Sequence, residues 1–190
     1  MKVRLFALAT LLLLGTSACT VRFYTSTTEI TPTAAPDPAA ATWLAKSCAL
    51  SLPVVSQKQQ RVKELDESAL PEERARQFAR LYRDMAGWHE TARKAHLDFI
   101  EPGPDGSAPF RLHWIALHEE NQRVLTEVAP MLERAKITAE ADLKLVRTDV
   151  DAIIDRSEKG RVQRNRQLSR ELPPGFVAAF HTVPACKKLG

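Results

Sequence analysis

The chain contains few glycines, cysteines and aromatic residues. Its 190 residues include only 7 glycines, 3 cysteines and 6% aromatic residues, whereas Ala, Leu, Glu, Arg and Lys are plentiful. This composition is typical of long helices. A chain of this length is expected to form one domain with a substantial core.

Recognisable catalytic and metal-ligand motifs are also missing. The sequence has no Gly-x-Ser-x-Gly elbow and no His-Glu-x-x-His, Glu-x-x-His or Cys-x-x-Cys-His spacing. The paired acids Glu72-Glu73 and Glu119-Glu120 are interpreted as helix-surface residues. We therefore expect a protein that is not an enzyme and that binds no cofactor, although scattered catalytic residues would leave the same sequence pattern.

Excess charge is small once the N-terminus is set aside. The formal net charge is +4, and Lys2 and Arg4 supply half of it. A nearly balanced remainder does not favour nucleic-acid binding.

The N-terminus has the order of an export signal. Lys2 and Arg4 precede the largely apolar run Leu5–Leu14, and small residues then lead to Cys19. A cationic flank, a short apolar segment and a small-residue cleavage site define such a signal. The run is shorter than the roughly 20 residues that a membrane-spanning helix needs. Residues 1–18 are therefore predicted to be a signal peptide.

The sequence Ser17-Ala18-Cys19 resembles the lipobox of bacterial lipoproteins, except that Thr16 stands where an aliphatic residue is usual. The resemblance implies that Cys19 is lipidated, becomes the mature N-terminus and anchors the protein facing the periplasm. Thr20 follows the cysteine instead of aspartate, which by the enterobacterial sorting rule implies the outer membrane. The alternative is cleavage near Ala18 without a lipid.

Lipidation would also explain the odd number of cysteines. With Cys19 modified, Cys48 and Cys186 remain as a pair, and an oxidising compartment favours a disulfide between them. The alternative is two free, buried thiols.

Residues 19–42 contain the lipidated cysteine and a stretch dominated by Thr, Pro and Ala that has no helical period. We interpret this stretch as a flexible tether that leads to a helical domain at residues 43–190.

A helical period begins at Trp43, and Pro53 is expected to kink or restart that first helix. A second helix is predicted over about residues 72–100. Its apolar seam repeats at steps of three and four and comprises Phe78, Leu81, Met85, Trp88, Ala92, Ala95 and Phe99.

Residues 101–109 are rich in proline and glycine and are predicted to form a loop. A third helix should follow over about residues 110–135, with a bend at Pro130. A fourth should run over about residues 139–172, with Thr138 as its N-cap. Fusion of the third and fourth helices into one is the alternative.

These elements predict an all-α fold. Short connections between amphipathic helices favour an antiparallel bundle of about four helices, with an irregular C-terminal tail stapled to the first helix by the disulfide. Burial of unpaired seams by formation of a homo-oligomer stays open.

Inter-helix histidines are the only candidate ligand site. His89 and His96 lie seven residues apart, and antiparallel pairing places His96 near His113 and His89 near Asn121, with His118 one turn away. Because metal motifs are missing, surface or rim histidines are the favoured interpretation. Asn121, a polar residue within a seam, is expected to fix the register of the helices.

The most charge-biased segment lies in the fourth helix. Lys159, Arg166 and Arg170 fall along one side of it. They are candidates for contact with an anionic partner, such as lipid head groups, lipopolysaccharide phosphates or an acidic protein. An ordinary solvated helix face is the favoured interpretation. The remaining basic residues of the segment are Arg156, Arg161 and Arg164.

Taken together, the sequence predicts a lipid-anchored periplasmic helical bundle that acts as a non-enzymatic interaction or envelope-assembly module. Its expected partners are the membrane, through the N-terminal lipid, and an envelope protein. The alternative function is a metal- or ligand-binding bundle that uses inter-helix histidines such as His89 and His96.

Overall fold

The computed structural model describes residues 34–189, and these residues form helices and no strand. The predicted all-α class and antiparallel bundle are confirmed. The helices are α1 (Pro38–Ala49), α2 (Leu52–Lys63), α3 (Pro71–Asp98), α4 (Ser107–Arg134), α5 (Glu140–Glu171), α6 (Pro174–Thr182) and α7 (Pro184–Lys187).

A long antiparallel hairpin of α3 and α4 forms the centre of the bundle, closed by the loop at residues 99–106. α5 packs mainly on α4, and α2 packs on α3. α1 packs against α6 and α7. We call the end that carries residues 99–106 the loop end, and the opposite end the base.

Proline and acidic residues account for most helix boundaries. α1 begins at Pro38, ahead of the predicted Trp43, because the Asp37 carboxylate accepts hydrogen bonds from the amides of Ala39 and Ala40 at 2.8 and 3.3 Å. α1 ends before Pro53, and α2 starts in a new direction. The predicted restart at Pro53 is confirmed.

The third and fourth predicted helices are separate. Residues 135–139 break them, and the Asp142 carboxylate accepts hydrogen bonds from the backbone amides of Thr138 and Ala139 at 2.9 and 3.0 Å. Thr138 therefore does not cap α5 as predicted, since its hydroxyl donates to Asp142 instead. The C-terminal tail is more regular than expected, because it contains α6 and α7.

Two apolar cores lie at different heights in the bundle. The first, which we call the loop-end core, joins α1, α6 and α7 to the start of α4 and the end of α5. The second, the base core, joins the first half of α3 to the end of α4 and the start of α5. Their largest members are Trp43, Phe110, Trp114 and Phe176 in the loop-end core, and Tyr82, Met85, Leu125 and Leu143 in the base core.

The predicted seam of α3 is only partly right. Leu81, Met85 and Ala92 are buried, whereas Trp88 and Ala95 are only half-buried. The inward face is rotated toward a stripe that includes Ala79, Tyr82, Ala86, His89 and His96. α3 packs against α2 as well as α4, so its buried face is wider than a seam of apolar residues.

The disulfide between Cys48 and Cys186 is present, and it joins α1 to α7 across 138 residues of sequence. Both cysteines are completely or almost completely buried in the loop-end core. The bond therefore holds the C-terminal helices against α1.

In the described residues, no single helix has the length and apolar character of a membrane span; α1 and α2 meet that test only as a pair bent by 40°.

Removal of this disulfide should destabilise the fold. The double substitution Cys48→Ser and Cys186→Ser is expected to lower the free energy of unfolding by about 2–5 kcal/mol, because the unfolded chain regains the freedom of a long closed loop. Urea unfolding with and without reductant measures this effect, with the double variant as the control that reductant should leave unchanged. Equal stability of the reduced and oxidised wild type would contradict the prediction.

Candidate functional site

Between the two apolar cores lies a layer of buried polar side chains. His89 and His96 come from α3, His118 comes from α4, and Ser51 lies at the junction of α1 and α2. The exposed fraction of each of these four residues is at most 1%. We call these four residues the histidine layer.

The histidine layer is a single hydrogen-bonded series. Ser51 Oγ lies 3.0 Å from His96 Nε2 and 2.9 Å from His118 Nε2. His118 Nδ1 lies 2.9 Å from His89 Nδ1. The order is therefore His96, Ser51, His118, His89, and His118 uses both of its ring nitrogens.

Two proton arrangements use the Ser51 hydroxyl as both donor and acceptor, because a neutral imidazole has one donor and one acceptor nitrogen. In the first, His96 donates to Ser51, Ser51 donates to His118, and His118 donates to His89. In the second, every donor and acceptor is reversed. Both arrangements need a neutral His118, because that ring donates through one nitrogen and accepts through the other, and a protonated imidazole has no acceptor nitrogen.

Ring packing fixes the orientation of the imidazoles. The His96 ring stacks on Trp114 with a centroid distance of 5.8 Å and an interplanar angle of 9°. The His96 ring also stacks on the His118 ring, with a centroid distance of 5.5 Å. The layer thus continues directly into the aromatic part of the loop-end core.

Burial keeps these histidines uncharged. Burial, followed by the positive charges of Lys58 and Arg161, lowers the pKa of His89 to about 3. Burial, followed by the charge of Arg111, lowers the pKa of His96 to about 4. The pKa of His118 falls well below its usual value because of burial, with His89 and His96 as the next causes.

The favoured prediction of surface or rim histidines is wrong for His89, His96 and His118. The inward face of α3 is offset from the apolar seam, so polar residues next to that seam point into the bundle. The predicted level of His96 is right, because it stacks on Trp114. His89, however, meets His118 instead of Asn121.

His113 and Asn121 are not part of the histidine layer. His113 is half-buried, and burial lowers its pKa, while its neighbour Asn165 on α5 acts in the opposite direction. Asn121 is also half-buried, and its Nδ2 atom has no hydrogen-bond partner among residues 34–189. The predicted role of Asn121 in register is not tested by these contacts.

Neutral imidazoles are good metal ligands, but their arrangement here favours hydrogen bonding among themselves. In the part of the chain that the structure describes, no group of three or more His, Cys, Asp or Glu side chains is arranged to hold a metal ion. The ring nitrogens that form the hydrogen-bonded series are paired with one another or with Ser51, so they do not point toward a common metal position.

The predicted anionic-partner residues lie on α5. Lys159, Arg166 and Arg170 are exposed, and none forms an ion pair with another described residue. Arg161 differs, because its side chain is buried and pairs with Glu158 at 2.8 Å. Arg164 pairs with Glu120 on α4. The basic residues of this segment thus divide into Lys159, Arg166 and Arg170, which form no ion pair with described residues, and two arginines, Arg161 and Arg164, that pair with carboxylates. Cys19, the predicted signal peptide and most of the predicted tether lie outside the described residues.

Sequence reasoning did not single out Ser51 or the burial of Arg161. Ser51 is far from the histidines in sequence, and a serine before Pro53 is typical of any helix start.

Comparison of the chain with protein-family models, with curated proteins and with solved structures found no match.

The histidine layer should make the fold sensitive to acid. Each histidine has a folded pKa below its unfolded value of 6.5. Below pH 6.5 the unfolded chain therefore binds more protons than the folded chain, and stability is lost as pH falls from 6.5 toward the folded pKa values. Three such groups are expected to remove up to about 4 kcal/mol per pH unit between pH 6 and pH 5.

Urea unfolding at several pH values measures that slope. His89→Leu should reduce the slope by up to about 1.4 kcal/mol per pH unit, because one titrating group is removed. His181→Gln, at an exposed position on α6, should leave it unchanged. An unfolding free energy that is flat between pH 7 and pH 5 would rule out burial of the neutral imidazoles.

Ser51 should contribute more to the stability of the fold than an ordinary serine at a helix start. Ser51→Ala removes the group that both Nε2 atoms contact, and an unpaired buried polar group costs about 1–3 kcal/mol. Ser56→Ala is the matched control, because Ser56 is exposed and its hydroxyl donates only to the Pro53 carbonyl in the described contacts. Equal denaturation midpoints for the two variants would show that the hydroxyl does not hold the layer together.

Proposed function

We propose that this protein is a lipid-anchored helical bundle of the bacterial cell envelope, held by a lipid on Cys19. It acts as a non-enzymatic interaction or assembly module that faces the periplasm, on the outer membrane. The basic face of α5, formed by Lys159, Arg166 and Arg170, binds an acidic envelope protein. The export signal and the lipobox resemblance support the location, and the exposed charges support the partner.

The observation that carries the proposed contact is the difference between the paired and the unpaired basic residues of α5. Arg161 and Arg164 have carboxylate partners within the bundle, Glu158 and Glu120. Lys159, Arg166 and Arg170 have no carboxylate partner among the described residues. They lie on α5, which spans 32 residues. A row of unpaired cations on a rigid helix suits electrostatic recognition of an acidic surface.

Burial of the histidine layer favours a structural role over a catalytic one. Ser51 is close to two imidazoles, as in a nucleophilic site, but its exposed fraction is only 1%. A hydroxyl buried to this extent is out of reach of a substrate. This burial supports a module whose working surfaces lie outside the bundle.

Crosslinking from native envelopes tests the proposal. The triple variant Lys159→Gln, Arg166→Gln and Arg170→Gln is expected to reduce recovery of one acidic partner about tenfold or more, since three favourable charge contacts are lost. The control Arg123→Gln, Lys136→Gln and Lys144→Gln removes the same charge from other exposed positions and should retain the partner.

Three other outcomes would contradict the proposal. Equal loss of the partner in both triple variants would show a general effect of charge. Fractionation of the protein into the soluble periplasm, unchanged by Cys19→Ser, would contradict the proposed lipid anchor. A stoichiometric metal that is lost in His89→Leu would replace the proposal with the metal-binding alternative.

A further inference from the structure

Three exposed apolar side chains lie at the loop end of the bundle. Ile100, in the connection between α3 and α4, has an exposed fraction of 81%. Leu112, in the second turn of α4, is 61% exposed, and Leu97, in the last turn of α3, is 46% exposed. We call these three residues the loop-end patch.

The chain enters the bundle at this same end. Glu101, next to Ile100, accepts a hydrogen bond from the Trp43 indole of α1 at 3.3 Å and pairs with Lys46 at 2.5 Å. Pro38, where α1 begins, lies five residues before Trp43, which is about 8 Å along the helix axis.

A second set of contacts supports this placement. The Asp37 amide donates to the Gly175 carbonyl at 3.0 Å, at the start of α6. A side chain at Gly106, in the loop that follows Ile100, would come within 2.8 Å of Pro173. The entry of the chain and the loop that carries Ile100 are therefore linked through residues 173–175.

We infer that the loop-end patch docks on the surface of the bilayer to which the lipid on Cys19 is attached. This inference rests on the proposed lipid anchor. Asp37 lies 18 positions after Cys19, so the entry point of the bundle stays within about 60 Å of the lipid. The tether keeps the bundle near the membrane and joins it at the loop end, and one anchor is stabilised by a second membrane contact.

The charges around the patch identify the kind of bilayer. Asp98 and Asp105 are exposed beside it, and neither forms an ion pair with another described residue. The nearby cations are engaged, since Lys46 pairs with Glu101 and Arg111 donates to the Phe99 carbonyl at 2.7 Å. The surroundings do not favour anionic head groups, so the patch suits a zwitterionic surface.

Depth-dependent quenching tests this docking with the full-length lipidated protein on vesicles of phosphatidylethanolamine and phosphatidylcholine. A fluorophore is attached at Ile100→Cys and, in a separate protein, at Leu70→Cys. Leu70 is the matched control, because it is apolar and 78% exposed but lies at the start of α3, at the base. Spin-labelled lipids should quench the fluorophore at position 100 several-fold more strongly than the one at position 70.

A variant of the patch gives an independent readout. Leu97→Ser with Leu112→Ser should reduce quenching at position 100 several-fold, while the protein still floats with the vesicles through its lipid. Added anionic lipid should not restore the quenching.

The outcomes separate the docking from the anchor. Flotation with equal or negligible quenching at both positions would overturn the docking and leave the anchor intact. Failure to float would overturn the lipid anchor and the docking with it. Stronger quenching at position 70 would place the base against the membrane instead.

Discussion

The fold depends on keeping three imidazoles uncharged inside the bundle. His89, His96 and His118 lie between two apolar cores, where a charged ring would lose its hydration without gaining a counterion. The series through Ser51 supplies hydrogen bonds to neutral rings, and this compensates for the water that they lose on burial. The positive charges of Lys58, Arg111 and Arg161 act in the same direction, because they too disfavour protonation.

Other parts of the chain place Ser51 where this series needs it. The backbone turns between α1 and α2, next to Pro53, and Ser51 lies in that turn. Cys48 is one turn earlier, and its disulfide to Cys186 fixes the end of α1 against α7. The covalent link in the loop-end core and the hydrogen bonds in the histidine layer are therefore only three residues apart, so they restrain the same point of the chain.

The sequence predicted the architecture better than the site. Proline positions and the apolar period were enough for the hairpin, the break before α2 and the loop between α3 and α4, because these features depend on local backbone chemistry. Cysteine counting gave the pairing of Cys48 with Cys186.

The histidine layer could not be predicted in the same way, because a histidine counts as polar in a periodic pattern. The spacing of His89 and His96 showed that they share a face, but only packing against α2 and α4 shows that this face points inward. Ser51 joins the layer through contacts 45 and 67 residues away in sequence, and the apolar pattern carries no information about such contacts.

A polar layer between two apolar cores also restricts how the hairpin can pair. If α3 slid by one helical turn against α4, the imidazoles of His89 and His96 would face apolar side chains of either core and lose the partners on His118 and Ser51. Such a register would leave several buried nitrogens unpaired, and each would cost more than a mismatch between two apolar residues. The layer therefore favours one alignment of two long helices whose apolar residues alone repeat too regularly to select it. That alignment also sets where α5 and the connection at Ile100 lie, so the interior hydrogen bonds determine the relative positions of the two outer surfaces proposed to bind a partner and the membrane.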